Sequence, residues 1–156
     1  MMVRTVRLMT TMAMLLVSGR VLAQSGDDPE GRSRAPGLVG RWDLVRLMRA
    51  GEDRTNPEAG VRTYTFEADG TFRITRGEAV VETGTWSQDT TARPMIFDHV
   101  PNVNGRPGRF VPGIFAIDGD SLVISILPPS PERRHPTQFR SVPEDRSWLL
   151  VYRRAR

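Results

Sequence analysis

Two imidazoles, His99 and His135, are the only histidines in the chain, and there is no cysteine. The dipeptide Asp98-His99 sets a carboxylate beside an imidazole. Such a pair does acid–base work, or orients a metal ligand, when the two side chains converge. Adjacent residues on a strand point to opposite faces, so if this segment is a strand Asp98 and His99 diverge. His135 stands in the polar run Arg133-Arg134-His135-Pro136. A zinc centre needs three or four ligands at suitable spacing, and the sequence offers no such set. No metal and no other cofactor is expected. Nucleophilic catalysis has no better basis: there is no G-x-S-x-G run, no thiol, and no serine flanked by a base. The carboxylate pairs Asp27-Asp28, Asp118/Asp120 and Glu144-Asp145 fall in turns or near the N-terminus, where they solvate loops. Nothing favours pairing of the glycosidase kind. The expectation is a protein that is not an enzyme.

Charge is the next candidate for chemistry. The 156 residues carry 22 cationic side chains against 18 anionic ones, a formal charge of +4. Every cation is arginine. With no Lys, no Cys and two Tyr, almost nothing titrates between about pH 8 and pH 12. A small positive excess therefore persists to high pH and inflates the calculated pI of 10.8. Arg133, Arg134 and Arg140 could form a local basic patch, with Glu132 beside it. Elsewhere acids and arginines alternate almost one for one, so a nucleic-acid partner is not expected.

The N-terminus reads as an address. Arg4 and Arg7 precede an apolar run from Leu8 to Val17, and Val21-Leu22-Ala23 supplies a cleavage site, so residues 1–23 are expected to be a signal peptide. The run is too short for a membrane span, which needs roughly 20 apolar residues. No Cys is present to carry a lipid, so no membrane association is expected after cleavage. Removing Arg4, Arg7 and Arg20 leaves 19 cations against 18 anions. The expected mature chain is near-neutral and exported, to periplasm, cell surface or medium. Residues 24–38, rich in Gly, Ser, Pro and Asp, have too little apolar surface to offset their ordering entropy and read as a flexible leader.

From residue 39 to 156 the pattern is short apolar runs broken by turns, with no sustained 3.6-residue period. Strands are expected at 41–48, with a bulge near Val45, and at 62–67, 71–76, 79–86, 94–99, 110–117, 121–127, 137–141 and 148–153. Asp69-Gly70 and Asp118-Gly119 mark tight turns. About eight antiparallel strands joined by hairpin-length turns make a meander, closed as a barrel or folded as a sandwich. Closure is favoured because an open meander leaves two edges exposed to aggregation. A barrel of about eight strands is filled by its own side chains or holds one small ligand.

Several blocks add a resemblance. Gly40-Arg41-Trp42 matches the G-x-W opening of lipocalin-type barrels. Thr65-Phe66 with Asp69-Gly70, Gly84-Thr85-Trp86, Gly113–Leu122, Pro128-Pro129 with Pro136-Thr137-Gln138-Phe139, and Leu149–Arg154 follow in order. On these residues the chain from about Gly40 to Arg154 resembles an uncharacterised exported bacterial (planctomycete-type) lipocalin-like domain family. The resemblance implies an all-β lipocalin-like antiparallel meander barrel. It also implies that Trp42 plugs one end of it, with Arg153 or Arg154 lying across the indole. Trp86 and Trp148 read as core fillers.

The functional expectation is a binding module for a small apolar or amphipathic ligand. Its candidate lining is Tyr64, Phe66, Phe72, Ile74, Trp86, Phe115, Ile117, Leu122, Ile124 and Ile126. The alternative is a structural or protein-interaction domain with a packed interior, its protein partner unidentified. The segment His99–Arg109, long and rich in Gly and Pro, is expected to be a loop over one mouth. Pro128-Pro129-Ser130-Pro131 reads as a stiff connection between strands.

Overall fold

The computed structural model describes residues 37–156; the expected signal peptide, 1–23, and residues 24–36 of the leader lie outside the described residues. Alternating side chains and tight turns yield ten strands: β1 (Gly40–Arg49), β2 (Glu52–Asp53), β3 (Arg62–Phe66), β4 (Thr71–Arg76), β5 (Ala79–Asp89), β6 (Met95–Val103), β7 (Arg106–Pro107), β8 (Val111–Asp118), β9 (Ser121–Ile126) and β10 (Trp148–Arg154). One 3-10 turn, Pro57–Ala59, is capped by Asn56, whose side chain accepts from the backbone of Glu58 and Ala59. All pairings are antiparallel. The sheet runs β10-β9-β8-β6-β5-β4-β3-β1, and β1 pairs with β10 to close it. The described chain is thus an all-β, lipocalin-like closed barrel of eight strands, with β2 and β7 outside the ring.

Two bulges set which side chains enter the barrel. Along β1, Leu44 pairs with Tyr152 and Arg46 with Val151, leaving Val45 as the extra residue. The slip moves the inward face from Trp42 and Leu44 to Leu47 and Arg49, since one inserted residue reverses the alternation. In β5, Ile74 pairs with Glu82 and Thr75 with Val80, which places a second bulge at Val81.

The interior is densest at one end. Leu38, Trp42, Phe66, Trp86, Phe97, Phe115 and Leu122 are all buried there. Phe66 meets Trp86 at 5.2 Å and Phe97 at 5.6 Å, both edge-on, geometries that add to area burial. Gly84 is required where it stands. A Cβ there would lie 2.2 Å from the Val100 carbonyl oxygen and 2.6 Å from the Phe72 ring.

Trp42 seals that end. Its Nε1 donates to the Leu38 carbonyl at 2.9 Å, and the Arg154 guanidinium lies 4.2 Å over its ring. Arg154 Nη2 also donates to the Gly37 carbonyl at 3.0 Å. Of the two arginines named from the sequence, Arg154 covers the indole, while Arg153 is exposed and paired across the sheet with Asp43. The leader boundary needs correcting accordingly. Leu38, placed in a flexible leader, is 0% exposed and packs in the core.

Three further readings are corrected. No strand forms at 137–141; residues 127–147 run as a strap across the outer face of β8 and β9. The strap's backbone bonds go to nearby side chains and tight turns instead of a ladder: Val142 N donates to Ser147 Oγ at 3.0 Å, Ser147 N to Asp145 Oδ1 at 2.8 Å, and Arg140 N to the Gln138 carbonyl at 3.1 Å. Phe139, the main apolar signal for that strand, stays 38% exposed. Nor is 99–109 an irregular loop. β6 continues to Val103 and turns at Asn104-Gly105, with φ of 53° and 78°, into β7. That is the Asn-Gly hairpin turn whose positive φ values suit the sheet's twist. Trp148, finally, is only half-buried: it packs against the core and also lines the open end of the barrel.

Trp42→Ala should cost about 3–5 kcal/mol in urea unfolding, as large-to-small changes of buried aromatics do. Arg154→Met should cost about 0.5–2 kcal/mol, and Arg153→Met close to nothing. Equal losses for the two arginines would contradict the plug geometry.

Candidate functional site

Above the aromatic layer the barrel holds a cavity of about 730 Å³. Its walls come from all eight strands of the ring, and the strap closes one flank through Leu127, Pro128 and Pro129. The volume falls within the range of about 300–1,000 Å³ occupied by small-molecule sites.

The ten side chains proposed from the sequence as lining divide between two environments. Tyr64, Ile74, Ile124 and Ile126 line the cavity. Phe66, Phe72, Trp86, Phe115 and Leu122 pack beneath it as solid core. Ile117 packs at the sealed end, where its Cδ1 would lie 3.5 Å from a Cβ built on Gly37. Stacking of Phe66 on Tyr64, at 5.0 Å, marks the level at which packing ends and the cavity begins.

Polar groups missing from that lining also face the cavity. Arg62 and Glu82 lie on it, with Arg62 Nη2 3.8 Å from Glu82 Oε2. Burial raises the Glu82 carboxyl pKa, with the Arg62 charge opposing. Burial also lifts the Tyr64 and Tyr152 hydroxyls well above the usual phenol range, so both stay neutral. Arg49, turned inward by the bulge in β1, lies 4.7 Å over the Trp148 ring at the mouth. Period-two alternation already carries this signal: Arg62 shares a face with Tyr64, and Glu82 pairs directly with Ile74. A charged residue on a strand is ordinarily read as solvent-facing, which is why the sequence alone pointed past them.

His99 also lines the cavity. It is 6% exposed, stacked on Phe97 at 5.4 Å and edge-on to Phe72 at 5.5 Å. Its Nδ1 and the Arg62 Nε are buried without a hydrogen-bond partner among the described residues. Burial pushes the imidazole pKa down to about 4, so the ring is neutral at pH 7. Asp98 points to the opposite face, where His135 Nε2 lies 2.7 Å from its Oδ1. That contact fastens the strap to the barrel wall; sequence separation of 37 residues hid the pairing. Arg133 of the strap sits 4.8 Å over Phe110, and Arg134 pairs with Glu132. Among the described residues no three His, Asp or Glu side chains gather as a metal site would require. The arrangement can hold a molecule with one apolar and one polar side.

No protein-family model, curated protein or solved structure matches the chain.

Two measurements check this geometry. An unfolded imidazole titrates near 6.5, so between about pH 6.5 and pH 4 the unfolded chain takes up a proton that folded His99 refuses. Stability should therefore fall by about 3 kcal/mol as pH drops through that window, and His99→Phe should remove that increment. A wild-type-minus-variant difference that stays flat with pH, in urea titrations at pH 7, 5.5 and 4.5, would contradict it. For the strap, His135→Ala should accelerate amide exchange across residues 127–147 and leave β3 to β5 unchanged. Uniform acceleration would mean that the contact supports the whole barrel.

Proposed function

We propose that this chain is an exported lipocalin-like binding module that holds a small amphipathic ligand in the open half of its barrel. The observation that carries the reading is the 730 Å³ cavity, whose mainly apolar wall faces the inward groups of Arg62, Glu82, His99 and the two tyrosines. A barrel serving only as scaffold gains by filling its interior, because voids forfeit contacts and polar burial costs free energy. Here filling stops at the aromatic layer, and charged side chains occupy positions that Leu or Phe would stabilise. The order of blocks from Gly40 to Arg154 supports membership of the planctomycete-type exported family, and the N-terminal pattern supports removal of residues 1–23. In this reading the protein is not an enzyme: the neutral, buried His99 has no carboxylate at hydrogen-bond distance, and Asp98 is turned to His135.

Native mass spectrometry of protein purified from its own envelope should reveal a copurified small molecule. Ile126→Trp should fill the mouth, abolish that mass and weaken binding of the neutral fluorophore N-phenyl-1-naphthylamine at least tenfold, with the fold intact by circular dichroism. A folded variant that binds the fluorophore as wild type does would sink the cavity as the site.

A further inference from the structure

Granting that the cavity holds a ligand, we infer that the ligand is an amphiphile with an acidic, carboxylate-type head that sits against Arg62, its apolar chain lying along β9, β10 and the strap. The hydrogen-bonding inventory of the cavity is the ground. Arg62 Nε, buried and unpartnered, can only donate. The Tyr64 and Tyr152 hydroxyls, held protonated by burial, and the neutral His99 ring can each offer a proton to an acceptor. The acceptor side chains on the lining are Glu82 and the amides of Asn102 and Asn104, and the contact of Glu82 with Arg62 at 3.8 Å is well beyond the roughly 2.7–2.9 Å of a charge-assisted hydrogen bond. The guanidinium is therefore only partly engaged, and its Nε has no partner among the described residues.

Charge points the same way. The charged side chains that line the cavity are Arg49, Arg62 and Arg146 against Glu82 alone. An ammonium head would meet a lining of net positive charge, and an alcohol head could accept a hydrogen bond from Arg62 but would leave its charge unbalanced. A planar carboxylate offers the guanidinium two acceptor oxygens in matching geometry. Opposite this polar wall stand Val111, Ile124, Ile126, Leu127, Trp148 and Leu150, an apolar face for the rest of the molecule.

The test displaces N-phenyl-1-naphthylamine from the full barrel with three amphiphiles of equal chain length, dodecanoate, 1-dodecanol and dodecylammonium, at pH 7.5. Dodecanoate should bind at least tenfold more tightly than the alcohol, and dodecylammonium weakest. Arg62→Met should bring dodecanoate down to the level of the alcohol. Arg62→Lys keeps the charge and loses Nε, and should retain only part of the preference. The wild-type comparison decides the head chemistry even if Arg62→Met fails to fold. Equal binding of acid and alcohol, or a preference for the amine, overturns the carboxylate assignment and leaves the cavity reading standing. Failure of all three amphiphiles and of the fluorophore to bind overturns the cavity reading itself.

Discussion

Hydrogen bonding between the first and last strands is the constraint on which everything else in this barrel rests. β1 and β10 pair from Trp42 with Arg154 to Arg49 with Trp148, and this seam converts a meander with two open edges into a ring. Both ends of the seam carry an arginine over an indole: Arg154 on Trp42 at the sealed end, Arg49 on Trp148 at the mouth. The bulge at Val45 makes that symmetry of roles available, because without it Arg49 would face outward. Closure, the plug and the cationic rim thus follow from one strand and its one irregularity.

The interior is divided by physical type. Towards the sealed end, aromatic rings meet edge-on and exclude space; towards the open end, the same inward alternation presents Arg62, Glu82, Tyr64, Tyr152 and His99 to a cavity. Partly burying a guanidinium and a carboxylate costs free energy that a contact as long as 3.8 Å recovers poorly. Groups of that kind held in place against their desolvation cost are a common mark of sites built for something other than stability. Gln88, in the packed half and paired with Phe97 across the sheet, has neither amide atom partnered among the described residues.

Much of the frame was legible because its signals are local. Asp69-Gly70 and Asp118-Gly119 mark turns whose glycines have φ of 83° and 56°. Phe72 and Ile74, or Leu122 and Ile124, alternate cleanly, and the broken alternation near Val45 is the bulge itself. Errors arose where a local signal had a non-local resolution. Phe139 suggested a strand, but the surrounding backbone bonds to side chains and not to a ladder: the Arg140 carbonyl accepts from Ser125 Oγ, and Val142 N donates to Ser147 Oγ. Gly105 and Pro107 suggested a loop, yet Asn104-Gly105 is a hairpin turn and the strand runs through. Leu38 looked like an isolated apolar residue in a polar leader because its partner, the Trp42 indole, lies beyond the G-R pair that opens the barrel.

The sequence by itself determined the class: antiparallel strands, tight turns and no helical period leave little besides a closed or sandwiched meander, and alternation assigns each side chain to a face. Tertiary structure alone decided how far the interior fills. Ten apolar positions proposed as lining point inward, but whether an inward side chain meets another ring or empty space depends on its height along the barrel axis. Height is set by the stagger of strands, by the two bulges and by the seam of β1 with β10, none of which a single strand's pattern contains. The same dependence brought Asp98 to His135 and Arg62 to Glu82, contacts between residues that local spacing gives no reason to join.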